Sequence, residues 1–175
     1  MSKDAILYMS GDLPTLSETF VTNEVFGLRR LGFDVRTASV HAPQRGLGSE
    51  ELDSLADETI RVYPENPIAL IANALIGIVA SPVRSVRMLG RAIADAFSAR
   101  GIPLARRFKI VWQALSAITL AREARGMGVA HIHAHMAHVP TTIAMYASAH
   151  MGVTFSFTGH AVDVFRERTL LEAKL

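Results

Sequence analysis

The stretch that most constrains this chain runs from Val129 to Phe165, VAHIHAHMAHVPTTIAMYASAHMGVTFSFTGHAVDVF. Its first six residues, Val129 to Ala134, read as a strand. Pro140 suits the first turn of a helix, where a missing N–H costs nothing. Gly152 suits the position just past that helix's end. Val153 to Thr158 is β-branched and aromatic and is bounded by Gly152 and Gly159, so it reads as a second strand. Strand, crossover helix and strand make one right-handed unit with parallel strands. Such sheets bind ligands beyond the carboxyl ends of their strands. Here those ends carry His133, His135, His160 and Asp163.

The rest of the chain supplies partners for that unit. Ala5 to Met9 is a continuous apolar run, as in a strand buried on both faces. A turn-rich loop, Ser10 to Ser17, leads to a helix expected from Ser17 to Leu31 with Gly32 at its end. Phe20, Val21, Val25, Leu28 and Leu31 share one face of it. Glu24 falls on that same face; it is either a core exception satisfied by a backbone amide or a residue opening onto a cleft. Ser17 and Thr19 are candidate helix caps and candidate ligand contacts. Asp34 to Val40 reads as strand two, Ser49 to Asp57 as a short acidic helix, and Thr59 to Tyr63 as strand three.

The β-α pattern then breaks. Pro67 to Ala80 is apolar nearly all round, with Asn73 its one polar side chain. The next helix starts at Pro82; Val86, Leu89, Ile93 and Phe97 line one face and Arg84, Arg87 and Arg91 the opposite one. A third runs from Leu104 to Arg125, with Leu104, Phe108, Val111, Leu115 and Ile118 expected inward. Arg166 to Leu175 reads as a closing helix. These elements predict a Rossmann-like, doubly wound α/β fold. Its five parallel strands are ordered 3-2-1-4-5, with extra helices at about 66–126 between strands three and four. The switch point falls between strands one and four. The loop from Gly11 to Ser17 would then face His133 and His135 across a crevice that His160 closes.

Composition excludes some classes. With 175 residues and no cysteine, one domain is expected, without disulfides or thiolate chemistry. No apolar run reaches the roughly 20 residues that span a bilayer. The Met-Ser-Lys-Asp start, followed by five apolar residues, is too short for a signal peptide. A cytoplasmic location is expected. Net charge is only +2, but residues 66–126 hold nine of the basic groups against two acidic ones, Asp95 and Glu123. That cationic, apolar segment, with Arg84, Arg87, Arg91, Arg106 and Arg107, suits an anionic membrane surface. Without interleaved aromatics or a recognised motif it does not suit nucleic acid.

His131, His133 and His135 alternate and share one side of a strand. Two histidines so spaced can bind zinc, but no carboxylate stands at a telling spacing, so no metal is expected. In the simpler reading His131 packs under a helix, His133 and His135 reach the cleft rim, and His138 and His150 lie on the surface.

Three blocks carry a family resemblance. Leu16 to Val21 (LSETFV) with Asn23-Glu24, His131 to His135 (HIHAH), and Phe155 to Phe165 (FSFTGHAVDVF) resemble, in order and spacing, bacterial family 4 retaining glycosyltransferases. These have the GT-B fold and build exopolysaccharide and colanic-acid-like chains. The resemblance implies two Rossmann-like domains facing a cleft, of which this chain matches the first, acceptor-binding one. The donor domain, with its two glutamates eight apart, would be a further partner. It implies a nucleotide-sugar donor as co-substrate, a lipid-linked saccharide acceptor, no required metal and a peripheral position on the inner face of the cell membrane. It marks His160 as the histidine near the transferred sugar, with Asp163 beside it. Gly11, Ser17, Thr19, Glu24, His133, His135 and Gly159 would contact substrate. Locally satisfied hydrogen bonds for His160, and a turn cap for Asp163, are the plainer roles. A non-catalytic, membrane-associated binding module is the alternative.

Overall fold

The computed structural model describes residues 4–98, 104–160 and 170–174. Five strands, β1 (Ala5–Ser10), β2 (Val35–Ser39), β3 (Ile60–Arg61), β4 (Val129–His135) and β5 (Thr154–Thr158), form one sheet in the order β3-β2-β1-β4-β5. Every pairing is parallel. The helices are α1 (Thr19–Arg30), α2 (Glu50–Glu58), α3 (Pro67–Ala80), α4 (Pro82–Ser98), α5 (Leu104–Glu123), α6 (Val139–Met151) and the short α7 (Leu171–Lys174). A single 3-10 turn, Leu16–Glu18, precedes α1. The chain is α/β and Rossmann-like, in the expected strand order.

Strand alternation sorts the two sheet faces. Leu7, Met9, Ile132 and Ala134 point one way and pack with Ile118 of α5 and Ile143 and Tyr146 of α6 in the main core. Burying side chains of this size contributes about 1.5–3 kcal/mol each. Ile6 and Tyr8 point the other way, joining Val25, Phe26 and Leu28 of α1, Val35 and Leu55. Gly152 ends α6 in the left-handed conformation, φ 77°, which glycine adopts without steric cost.

The middle helices depart from the sequence expectation. On α4 the inward face is Ser85, Met88, Ala92 and Ala96. Val86, Ile93 and Phe97, expected inward, are exposed. On α5, Leu104 and Phe108 are also exposed, while Ile110, Ala114, Ala117, Ile118 and Ala121 are buried. The cause is close helix packing: α5 lies between α3, α4 and α6, and small side chains let the axes approach. On α3, Gly77 lies so near α5 that an added Cβ would fall 2.4 Å from the Ile118 Cγ2 methyl.

The arginines of this region are partly engaged. Arg84 donates to the Met151 carbonyl at 3.1 Å, and Arg91 stands 3.8 Å from Asp95. Arg87 is exposed. The Arg107 guanidinium lies 5.6 Å over the Phe97 ring. The Arg106 side chain lies outside the described residues. Among the described residues, no helix is long and apolar enough to cross a membrane.

Candidate functional site

Three strand ends and the first turns of α1 converge where the sheet reverses its winding. The register pairs Tyr8 with His133 and His133 with Ser156, so alternation puts these side chains on one face, the α1 side. From β1, the Tyr8 hydroxyl donates to Glu24 Oε1 at 3.0 Å. Ser10 Oγ donates to Glu18 Oε2 at 2.6 Å. From β4, His135 Nε2 stands 3.1 Å from Glu24 Oε2. The Phe20 ring lies 5.8 Å from His135 and 5.1 Å from His160. His160 in turn stacks on His135 at 6.3 Å. Residues more than a hundred positions apart in sequence thus meet in one cleft.

Of the two readings of Glu24, the structure places it facing the cleft: its side chain is 44% exposed. Phe20 and Leu31, expected inward on the same helix face, are exposed too. The α1 face runs past the edge of the core, and its leading end lines the site instead. Ser17 and Thr19 do not cap the helix. Ser17 sits inside the 3-10 turn with its Oγ 3.3 Å from Thr15 Oγ1. Glu18 is the N-cap of α1 and makes no side-chain cap bond. Both Ser17 and Thr19 are exposed. The Gly11 carbonyl is tied to β2 by Ser39 Oγ at 3.2 Å and by the His41 N–H at 3.0 Å. Gly159 is exposed just beyond β5. Asp163 lies outside the described residues.

The histidines are placed differently from the simple reading. His135 is buried, 2% exposed, rather than at the rim. His150 is buried on α6, with Nε2 3.0 Å from Ser85 Oγ, because α4 covers that side of the helix. His138 is half-buried. His131 lies on the open sheet face rather than under a helix, bonded to Thr154 Oγ1 and Ser156 Oγ, each at 2.7 Å. His133 continues this ladder to Ser156 Oγ at 2.8 Å and Thr158 Oγ1 at 3.3 Å. Tyr8, Ser10, Glu18, Phe20 and this hydroxyl ladder are site features that sequence reasoning did not single out. The period-2 alternation of β1 and β5 was the available signal.

The electrostatics favour the neutral form of His133 and His135. Burial, and then the neighbouring His135, hold His133 below the usual histidine range. Burial also holds His135 down, outweighing the Glu24 carboxylate that pulls the other way. Burial and the Glu24 charge push the Tyr8 phenol well up, so it stays a donor. Among the described residues the cleft therefore holds the carboxylates of Glu18 and Glu24, the imidazoles of His133 and His135 held toward their neutral form, and an aromatic wall. It can accept protons, hydrogen-bond hydroxyls and stack against an apolar or sugar-like face. Glu24, His133 and His135 each offer one ligand atom, all within 4.8 Å of one another.

The chain matches no protein-family model, no curated protein and no solved structure. What the site can do follows from its own geometry and chemistry.

Proposed function

We propose that the chain is the acceptor-facing domain of a retaining glycosyltransferase that moves a sugar from a nucleotide-sugar donor to a lipid-linked saccharide in bacterial surface polysaccharide synthesis. The observation that carries this reading is the convergence of the three sequence blocks behind the resemblance. Glu18, Phe20 and Glu24 from the first, His133 and His135 from the second and His160 from the third line one cleft. In this reading Phe20 offers a stacking face to a sugar ring. His160 hydrogen-bonds the transferred sugar, on which positive charge develops in the transition state. A second domain holds the nucleotide.

The test is a transfer assay on the whole gene product with nucleotide-sugars and lipid-linked saccharides. His160→Ala lowers turnover about a hundredfold or more, the scale of losing one transition-state contact, with the melting temperature unchanged. Normal turnover in that variant overturns the reading.

A second reading has its own observation. Ile68, Leu75, Val79, Val83, Phe97 and Phe108 of α3, α4 and α5 are all exposed, in the same segment as the surplus of basic residues. We propose that this surface rests on an anionic membrane, which suits either a lipid-linked acceptor or a non-catalytic binding module. Sedimentation with vesicles of phosphatidylcholine, with and without phosphatidylglycerol, decides it. Pelleting that requires the anionic lipid and falls with salt supports docking; no pelleting with either vesicle refutes it.

A further inference from the structure

From the side chains gathered at the switch point we infer a divalent metal site built by Glu24, His133 and His135, with Zn²⁺ as the ion its donor set fits best. This goes beyond the glycosyl-transfer reading, which requires no metal, and does not rest on it. Three observations carry the inference.

The first is composition and spacing. Two imidazoles and one carboxylate offer atoms within 4.8 Å of one another, a set typical of zinc with an open position. Donors sharing a tetrahedral zinc at Zn–N and Zn–O lengths near 2 Å lie roughly 3.3 Å apart. The His135 Nε2 to Glu24 Oε2 distance is 3.1 Å, so that edge of the polyhedron is already in place. The remaining donor pairs lie within 4.8 Å, a gap that small side-chain adjustments close.

The second is the state of His135. Its ring is 2% exposed; among the described residues Nδ1 has no hydrogen-bond partner, and Nε2 has only the Glu24 carboxylate beside it, at 3.1 Å. A buried polar group left without a hydrogen bond costs about 1–3 kcal/mol. A metal on Nε2 gives that nitrogen's lone pair a partner and converts the close approach of carboxylate and imidazole into shared ligation.

The third is the support around the ligands. Metal-binding side chains are normally held by outer hydrogen bonds that fix their orientation. The Tyr8 hydroxyl holds Glu24 Oε1 at 3.0 Å, leaving Oε2 for the ion. Ser156 Oγ holds His133 Nδ1 at 2.8 Å. His133 Nε2 has a 3.3 Å contact with Thr158 Oγ1, a longer bond to an exposed hydroxyl that can turn away. Three protein ligands leave a fourth position for water or a substrate oxygen.

The sequence pattern alone hides this site, because its carboxylate comes from another element. Glu24 sits on α1, more than a hundred residues before the histidine pair.

The test uses the full chain without an affinity tag. After dialysis against micromolar Zn²⁺, elemental analysis yields one equivalent per chain, and titration calorimetry gives a micromolar or tighter constant. Glu24→Ala and His135→Gln each weaken binding about a hundredfold or more, beyond the 10–100-fold that losing a supporting partner causes. His41→Ala, outside the cluster, leaves it unchanged. Co²⁺ substitution gives the intense visible absorption of a four-coordinate site, which Glu24→Ala abolishes. Because His135 is buried, the half-exposed Glu24 variant decides the matter if His135→Gln fails to fold. Substoichiometric zinc in the wild type, or equal affinity in Glu24→Ala, overturns the site.

Discussion

Replacing Gly77 by alanine isolates the packing of α3 on α5. Alanine is the better helix former by about 1 kcal/mol, so propensity alone favours the change. Against it, the new Cβ would stand 2.4 Å from Ile118 Cγ2, with the Ile118 carbonyl oxygen at 3.5 Å. Carbon atoms in contact sit at about 3.5–4.0 Å, so one of the two must move by more than an ångström. Ile118 cannot yield easily. A β-branched side chain within a helix is nearly confined to one χ1 rotamer, and Ile118 is fully buried. Overpacking of this kind costs about 1–3 kcal/mol, and so severe an overlap belongs at the upper end. The net effect is a loss of about 2 kcal/mol. At about 2–4 °C per kcal/mol for a chain of this size, the melting temperature falls by roughly 4–8 °C. Gly90→Ala on α4 is the control: nothing lies within 4 Å of its added Cβ, so it raises stability by about 1 kcal/mol. Ile118→Leu removes the offending methyl, so the double variant Gly77→Ala/Ile118→Leu is less destabilised than the sum of the two singles. Urea denaturation of the four variants measures all of this. Equal or greater stability of Gly77→Ala refutes the close approach of the two helices.

Two further predictions concern α6. Burial, and then Arg84 and Arg125, hold the His150 imidazole below its ordinary value. The unfolded chain therefore takes up a proton there that the folded chain resists. Stability from this group is complete above about pH 6.5 and declines as pH falls from there through the folded pKa. His150→Asn flattens that part of a stability–pH curve; an unchanged slope in chemical denaturation between pH 5 and pH 7 refutes the assignment. The buried Tyr146 hydroxyl donates to Asp95 Oδ2 at 3.0 Å. Tyr146→Phe removes that donor from the Asp95 carboxylate and lowers stability by about 1.5 kcal/mol, read from the urea midpoint; no shift means the bond contributes nothing net.

The order of the elements was legible because each rests on local chemistry. Gly152 stops α6 in the left-handed conformation, and the apolar run of β1 belongs to a strand covered on both faces. What periodicity misread was which side of a helix is inside. It follows the largest apolar residues, and on α4 those are Val86, Ile93 and Phe97. Close approach to α5 and α6 instead selects Ser85, Ala92 and Ala96, which carry little hydrophobic signal. The site was legible in part. Strand ends located His133, His135 and His160, and the helix face flagged Glu24 as out of place in a core. That Glu24 and His135 touch was not legible, since it depends on how α1 lies across β1 and β4.

The pairing of β1 with β4 has a consequence for how this protein assembles. Tyr8 lies beside His133 although more than a hundred residues separate them. β1, α1 and β2 are neighbours in sequence and close short loops, so they form at small entropic cost. Docking β4 closes a far longer loop, whose cost grows with the logarithm of its length. Chains dominated by such distant contacts fold slowly. Glu24 and the pair His133 and His135 come from the two sides of that closure, so the cleft exists only once β1 and β4 are paired. Any ligand that bridges the two sides binds only the finished sheet. It stabilises the paired sheet as a whole rather than either half.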